Sequence, residues 1–480
     1  MNLMRVSGVA VALLVLAGCA GAPAHRVEPL ASRTLDPDPE VARCARLIAA
    51  TDDAVGRAGV RDAGTTRVPG HPYLRTDRYT AAARTVMSED RWLEAMRSLD
   101  RSARRVELAN LSSAARSALA ARAGVAFPGV PFDVALETCS NRLLAVDVAR
   151  GSVPGKVAVP DDYQTWKRVV GVYALTKYAF ASGIRKYQSQ TLGVFETPLA
   201  ALPVRGGLTR YVPRFDELDL TRLGIDVAAA RLLVANAPVL EVDTASDHDR
   251  LGSPVLDDDG APMVDVSHPV VFVREARTLF AGQALPQLVY QFWFPSRPAD
   301  GAPDMLAGRL DGIVWRVTLD PQMRPLVYDS IHPCGCYHQF FPTPRAVERP
   351  RPPSVDEWAF VPARLPEVAP DERIVLRIAS GTHYLQHVRV RAPSDEGVAY
   401  GVALDDSLRS LTLRNGTQRS LFGPDGIVRG TERGERWLFW PTGVREPGSM
   451  RQWGRHATAF VGRRHFDDAD LIERYFDYRP

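Results

Sequence analysis

Near Val194 the hydrophobic period of this 480-residue chain changes from that of a helix to that of a strand. Upstream, apolar residues recur at three and four: Cys44, Leu47 and Ile48; Trp92, Met96 and Leu99; Phe132, Leu136, Cys139 and Leu143. A further stripe over Tyr163 to Ala181 carries Trp166, Val169, Val170, Tyr173 and Tyr178, and its spacing predicts packing into a core. Downstream the period is two. Val239–Val242, Val270–Val273 and Leu288–Phe294 are expected strands. Ile313, Trp315, Val317 and Leu319 alternate, Asp320 to Arg324 turns, and Pro325 to Ile331 returns, which spells a hairpin. Ile374–Ile378 and Tyr384–Val390 follow as strands. Asn415-Gly416 turns between 408–413 and 418–422, and a helix is expected over Asp467–Phe476. The expected fold is α+β, an N-terminal helical domain (40–150) followed by a larger, mostly antiparallel β-rich domain (161–480). Residues 151–160 read as a linker, and a Pro/Arg-rich loop at 342–353 interrupts the second domain.

Composition adds bounds. With 45% hydrophobic and 24% charged residues the chain can bury a sizeable core. A formal net charge of +3 is too small to argue for a nucleic-acid partner.

The N-terminus carries targeting information. Arg5 precedes an apolar run from Val9 to Leu16, and Leu16-Ala17-Gly18-Cys19 follows. A basic start, a short apolar core and small residues at the cut describe a secretory signal. The last four residues resemble the lipobox of bacterial lipoproteins. That resemblance covers residues 1–19 only, and the rest of the chain suggests no family. It implies a signal peptide over 1–18, cleavage before Cys19 and acylation of that residue. Residues 19–39 then form a tether, and Ala20 after the cysteine favours the outer membrane. In such an oxidising compartment Cys44 and Cys139, on apolar stripes of two expected helices, are candidates for a disulfide.

His332-Pro333-Cys334-Gly335-Cys336-Tyr337-His338 gathers four possible metal ligands at the end of the hairpin. Cys2His2 is a recognised zinc shell, and Gly335 permits the bend that two sulfurs on one ion require. Seven residues are cramped for a full shell, so His383 and His387, or the more distal His456 and His465, would complete it. The competing reading is a short Cys334–Cys336 disulfide, with the histidines as hydrogen-bonded loop residues. Asp311 and Asp329 flank the hairpin, where a solvated role is expected of them. Arg451, Arg455, Arg463 and Arg464 read as a basic surface. No His-Glu-x-x-His, Gly-x-Ser-x-Gly or phosphate loop occurs. These features point to a lipid-anchored, non-catalytic envelope module for ligand binding or assembly, with a structural Cys/His site. Its expected partners are membrane lipid through Cys19 and other envelope components. The alternative is a zinc-dependent hydrolase of the periplasm.

Overall fold

The structure is a computed structural model that describes Leu30 and residues 33–155, 157–301 and 304–479. The signal segment, the lipobox and Cys19 lie outside the described residues. The helices are α1 (Pro39–Ala58), α2 (Arg78–Ala83), α3 (Glu89–Ala109), α4 (Ser113–Ala126), α5 (Phe132–Ala149), α6 (Thr165–Val170), α7 (Tyr173–Glu196), α8 (Glu217–Arg222), α9 (Val227–Ala235), α10 (Arg436–Phe439) and α11 (Leu471–Tyr475). The strands are β1 (Thr66–Val68), β2 (His71–Thr76), β3 (Gly207–Pro213), β4 (Val239–Thr244), β5 (Ser253–Leu256), β6 (Pro262–Asp265), β7 (Val270–Phe280), β8 (Gln283–Arg297), β9 (Gly308–Leu319), β10 (Pro325–Ile331), β11 (Gln339–Pro342), β12 (Ala346–Glu348), β13 (Arg373–Ile378), β14 (Leu385–Arg391), β15 (Val398–Leu404), β16 (Leu411–Thr412), β17 (Gln418–Arg419) and β18 (Phe476–Tyr478). The chain is α+β, with helices first and a β-rich region after them. None of the helices among the described residues is long and apolar enough to cross a membrane.

The chain divides into two compact units. The smaller gathers the described residues up to Asp52, Val68–Tyr73 and Leu119–Gly155. Its helices α1 and α5 are joined by a disulfide between Cys44 and Cys139, whose Cα atoms lie 4.8 Å apart. The apolar stripes that contain these cysteines bury Val41, Leu47, Ile48, Leu136 and Leu143. Asp147, also buried, accepts hydrogen bonds from Arg33 Nη1 (2.8 Å) and pairs with His71 Nδ1 (2.8 Å).

The larger unit comprises Asp53–Arg67, Leu74–Ala118 and the chain beyond Gly155. It is built on a ten-stranded mixed sheet in the order β11-β10-β9-β8-β7-β15-β3-β4-β13-β14. The pairs β7–β15, β15–β3 and β4–β13 are parallel, and the other neighbours are antiparallel. Strand alternation sorts the faces. Leu288, Tyr290, Phe292 and Phe294 of β8 and Ile313, Trp315, Val317 and Leu319 of β9 share one core with Leu220 of α8 and Leu233 of α9. The opposite face is covered too, with Val289, Val314 and Ile331 meeting Phe466 of the C-terminal segment. Burial on both faces explains why β9 is buried without a break from Leu310 to Leu319. The β9–β10 turn is held by Asp320, whose Oδ1 accepts from the backbone N–H groups of Gln322 and Arg324, each at 2.9 Å.

Four expectations are corrected. The helix over 163–181 breaks at Gly171-Val172, where Val172 has φ +48°, and α7 runs on to Glu196. A Cβ at Gly171 would lie 2.5 Å from Pro441 Cβ, so the break is shaped by close packing. Its apolar stripe is not core: Trp166, Val169, Val170 and Tyr178 are exposed. The C-terminal helix shrinks to Leu471–Tyr475, because Phe476 begins a strand that pairs with Glu348. That pairing also turns part of the Pro/Arg-rich loop into β12.

Candidate functional site

The segment His332–His338 connects β10 to β11, and Ser330 pairs with Gln339 across it. Within it His332 N donates to Cys336 O (3.0 Å) and Gly335 N to His332 O (2.8 Å). Gly335 sits at φ +91°, and a Cβ there would lie 2.4 Å from Ala457 O, so only glycine fits. Arg451 clamps the turn from outside, with its N–H donating to Pro333 O and its Nε to Cys334 O, both at 2.9 Å.

Cys334 and Cys336 are buried and free, so the short disulfide is not formed. The Cys336 backbone N–H donates to Cys334 Sγ at 3.4 Å. The neighbouring Cys334 and burial together push the Cys336 thiol well above its ordinary pKa.

The four histidines do not converge on these sulfurs. His332 Nδ1 and His383 Nδ1 share the carboxylate of Asp311, at 3.1 and 3.0 Å, and Arg433 Nη2 is 3.4 Å from it. His383 Nε2 lies 3.3 Å from Asp249 Oδ1, and its ring stacks on Phe294. Burial opposes protonation of His383, but the hydrogen bonds and charges of Asp249 and Asp311 outweigh it and raise its pKa. Asp311 is desolvated as well, yet Arg433 and His332 hold it well below the usual carboxylate range. His338 belongs to a second network. Its Nε2 is 2.8 Å from Asp329 Oδ2, and Asp329 also accepts from Arg316 Nε (2.9 Å) and Nη2 (2.5 Å). Burial, with Arg464 nearby, lowers the His338 pKa to about 3, so its ring is neutral. His387 lies apart, stacked on Phe195.

Among the described residues no three His, Cys, Asp or Glu side chains are grouped to hold a metal ion. The donors proposed for zinc therefore do not fit it: each of His332, His338 and His383 is committed to a carboxylate, and His387 faces an aromatic ring. Asp311 and Asp329 are fully buried rather than solvated: His383, in the loop before β14, covers Asp311, and the C-terminal segment at Phe466 covers the Arg316–Asp329 pair. Arg451 and Arg464 are likewise buried, and only Arg463 of the expected basic surface is exposed.

What the turn does form is the floor of a cavity of about 490 Å³. One face of α7 roofs it through Ala179, Phe180, Gly183, Ile184 and Tyr187, residues three and four apart. Cys336, Tyr337 and His338 lie opposite, and Phe360, Leu438, Phe439 and Phe460 close the sides. Among the polar side chains that line this mostly apolar space are Glu357, His338 and Glu435. Glu357 is spoken for, since its Oε1 accepts from the N–H groups of Phe460 (2.6 Å) and Val461 (3.0 Å). His338 Nδ1 has no hydrogen-bond partner. The Glu435 side chain, 4% exposed as a residue, makes no hydrogen bond to the described residues, and desolvation raises its pKa despite Arg433. Glu435 and Glu357 went unnoticed in the sequence, and the helix expected over 163–181 was read as core packing and not as a cavity roof; the small residues Ala179 and Gly183, four apart, were the available sign of a hollow helix face.

Such a site can enclose an apolar body and bind a polar end that donates a hydrogen bond. Comparison of the chain with protein-family models, with curated proteins and with solved structures finds no match.

Proposed function

We propose that this protein is a lipid-anchored, non-catalytic module of the cell envelope that binds an apolar ligand with a small hydrogen-bond-donating head. The observation that carries the reading is the cavity under α7, whose mostly apolar lining includes His338, with its Nδ1 left without a partner, and Glu435, whose side chain makes no hydrogen bond to the described residues. A volume of about 490 Å³ lies within the range of small-molecule sites. A buried, unpaired carboxylate is costly, so a donor on the ligand recovers part of that cost. The Cys/His stretch is structural in this reading: it builds the cavity floor. The lipid anchor rests on the lipobox resemblance. The hydrolase reading has no grouped ion ligands among the described residues to support it.

The test is a solution titration with the neutral fluorescent probe N-phenyl-1-naphthylamine, competed with dodecanol. Wild-type protein is expected to bind about one probe per chain and release it to dodecanol. Gly183→Phe, which projects a ring from the roof, should weaken binding by at least about tenfold, consistent with burying apolar area elsewhere. Equal binding by wild type and Gly183→Phe, with both variants folded by circular dichroism, overturns the proposal.

A further inference from the structure

Helix α7 is 24 residues long, yet only Ala181 and Thr191 of it are buried. Its neighbours α6 and α10 share this exposure. Trp166 is 60% exposed, Val169 72%, Leu175 71% and Trp437 71%. These residues belong to one surface. Gln164 N donates to Gly443 O (2.6 Å), Arg168 Nε to Thr442 O (2.6 Å), and the Phe180 and Phe439 rings lie 5.7 Å apart. A contiguous exposed patch of this kind marks an interaction site in a chain that otherwise buries its large residues.

Charge says what covers it. From Tyr163 to Phe195 there are five basic residues and no Asp or Glu. The whole chain has four lysines, Lys156, Lys167, Lys177 and Lys186, and three of them lie on α6 and α7. Elsewhere arginine supplies the positive charge, mostly in ion pairs. The Lys167 ammonium sits 6.0 Å from the Trp166 ring, Lys177 5.5 Å from Tyr178, and the Arg436 guanidinium 4.9 Å from Trp437. Exposed apolar side chains and tryptophans, flanked over residues 163–195 by basic residues and by no acidic ones, suit the boundary between acyl chains and anionic headgroups. A folded protein partner would gain little from lysines, which interface cores exclude.

We infer that α6, α7 and α10 form a docking surface for an anionic phospholipid bilayer, with Trp166, Val169, Leu175 and Trp437 in the acyl boundary and Lys167 and Lys186 at the phosphates. Because α7 also roofs the cavity, docking lays that roof against the lipid. The inference rests on the envelope reading only in bringing a bilayer within reach; the surface is there whether or not the cavity is filled.

The test uses the full chain with vesicles of phosphatidylcholine, with or without phosphatidylglycerol, and with brominated acyl chains as the quencher of tryptophan emission. Residues 1–29 contain no tryptophan, so quenching reports this surface and not the N-terminal segment. Wild-type emission is expected to be quenched on anionic vesicles, and the quenching to disappear in Trp166→Phe/Trp437→Phe. Lys167→Gln/Lys186→Gln should reduce quenching at limiting lipid, with apparent affinity falling about fivefold per lysine, on the order of twenty-five-fold in all. Absence of quenching in wild type overturns the inference, as does quenching that survives the tryptophan substitutions or ignores the lysines. The dodecanol competition is done without vesicles, so a failed cavity and a failed docking surface are told apart.

Discussion

Replacing Asp311 by Asn tests the architecture of the hairpin most directly. The Asp311 carboxylate is fully buried and accepts from His332, His383 and the Gly312 N–H, with Arg433 Nη2 at 3.4 Å. The substitution keeps the shape and removes the charge, which leaves His383 and Arg433 buried against a neutral amide. Breaking a buried charge pair in this way costs about 3–5 kcal/mol. A cooperative unit of roughly 380 residues unfolds with an entropy near 0.8 kcal/mol/K. The expected fall in Tm is then about 4–6 °C at neutral pH, read by calorimetry or near-UV circular dichroism. The pH profile sharpens the test. His383 has a raised folded pKa, so its contribution is full below the ordinary histidine value and is lost as pH rises through the raised one. Asp311 has a lowered folded pKa, so its contribution is full above the ordinary carboxylate value and is lost as pH falls through the lowered one. Wild-type stability should therefore decline on both sides of neutrality. In Asp311→Asn the alkaline decline should move to lower pH and the acid decline should flatten. A Tm within 1 °C of wild type, with an unchanged pH profile, would refute the assignment of these charges.

Three further outcomes follow from the same geometry. Cys44→Ser should destabilise the smaller unit by about 4–5 kcal/mol on the loop-entropy account, since the disulfide closes a long loop; limited proteolysis should cut it first between the two helices. Gly335→Ala should cost more than about 2 kcal/mol, because it combines a left-handed backbone with a Cβ against Ala457 O, and thermal melting reads the loss. Cys334 and Cys336 should resist alkylation in the native state and both react in denaturant; mass spectrometry of the labelled peptides separates them, and rapid native labelling of Cys334 would contradict its burial.

The hairpin from Ile313 to Ile331 was legible because strict alternation met a turn residue, Asp320, that closes its own loop. The hairpin before it was not. Its two-residue turn is Ala281-Gly282, both at positive φ, and alanine there carries no signal. Placing β15 between β7 and β3 is equally silent, since strands far apart in the chain pair through contacts no local pattern encodes. The polar alternation of Arg316 and Asp329 read as a wet face. It is a dry one, because the C-terminal segment folds over it and Arg316 donates to Phe466 O at 2.5 Å. The Cys/His stretch was visible by composition, but its role turned on partners at Asp311, Asp329 and Asp249 that spacing does not reveal. The stripe of α6 and α7 shows a further limit: periodicity reports an apolar face and says nothing of what lies against it.

The way residues 451–478 lock over the central hairpin has a temporal meaning. Arg451 holds the Cys-Gly-Cys turn, Phe466 seals Arg316, and β18 pairs with β12, all from one segment that lies more than a hundred residues beyond the hairpin it covers. Until that segment docks, the Arg316 guanidinium and the Asp329 carboxylate have no cover, and that contact spans a long stretch of chain. Chains lacking residues 451–480 should remain unfinished and protease-prone.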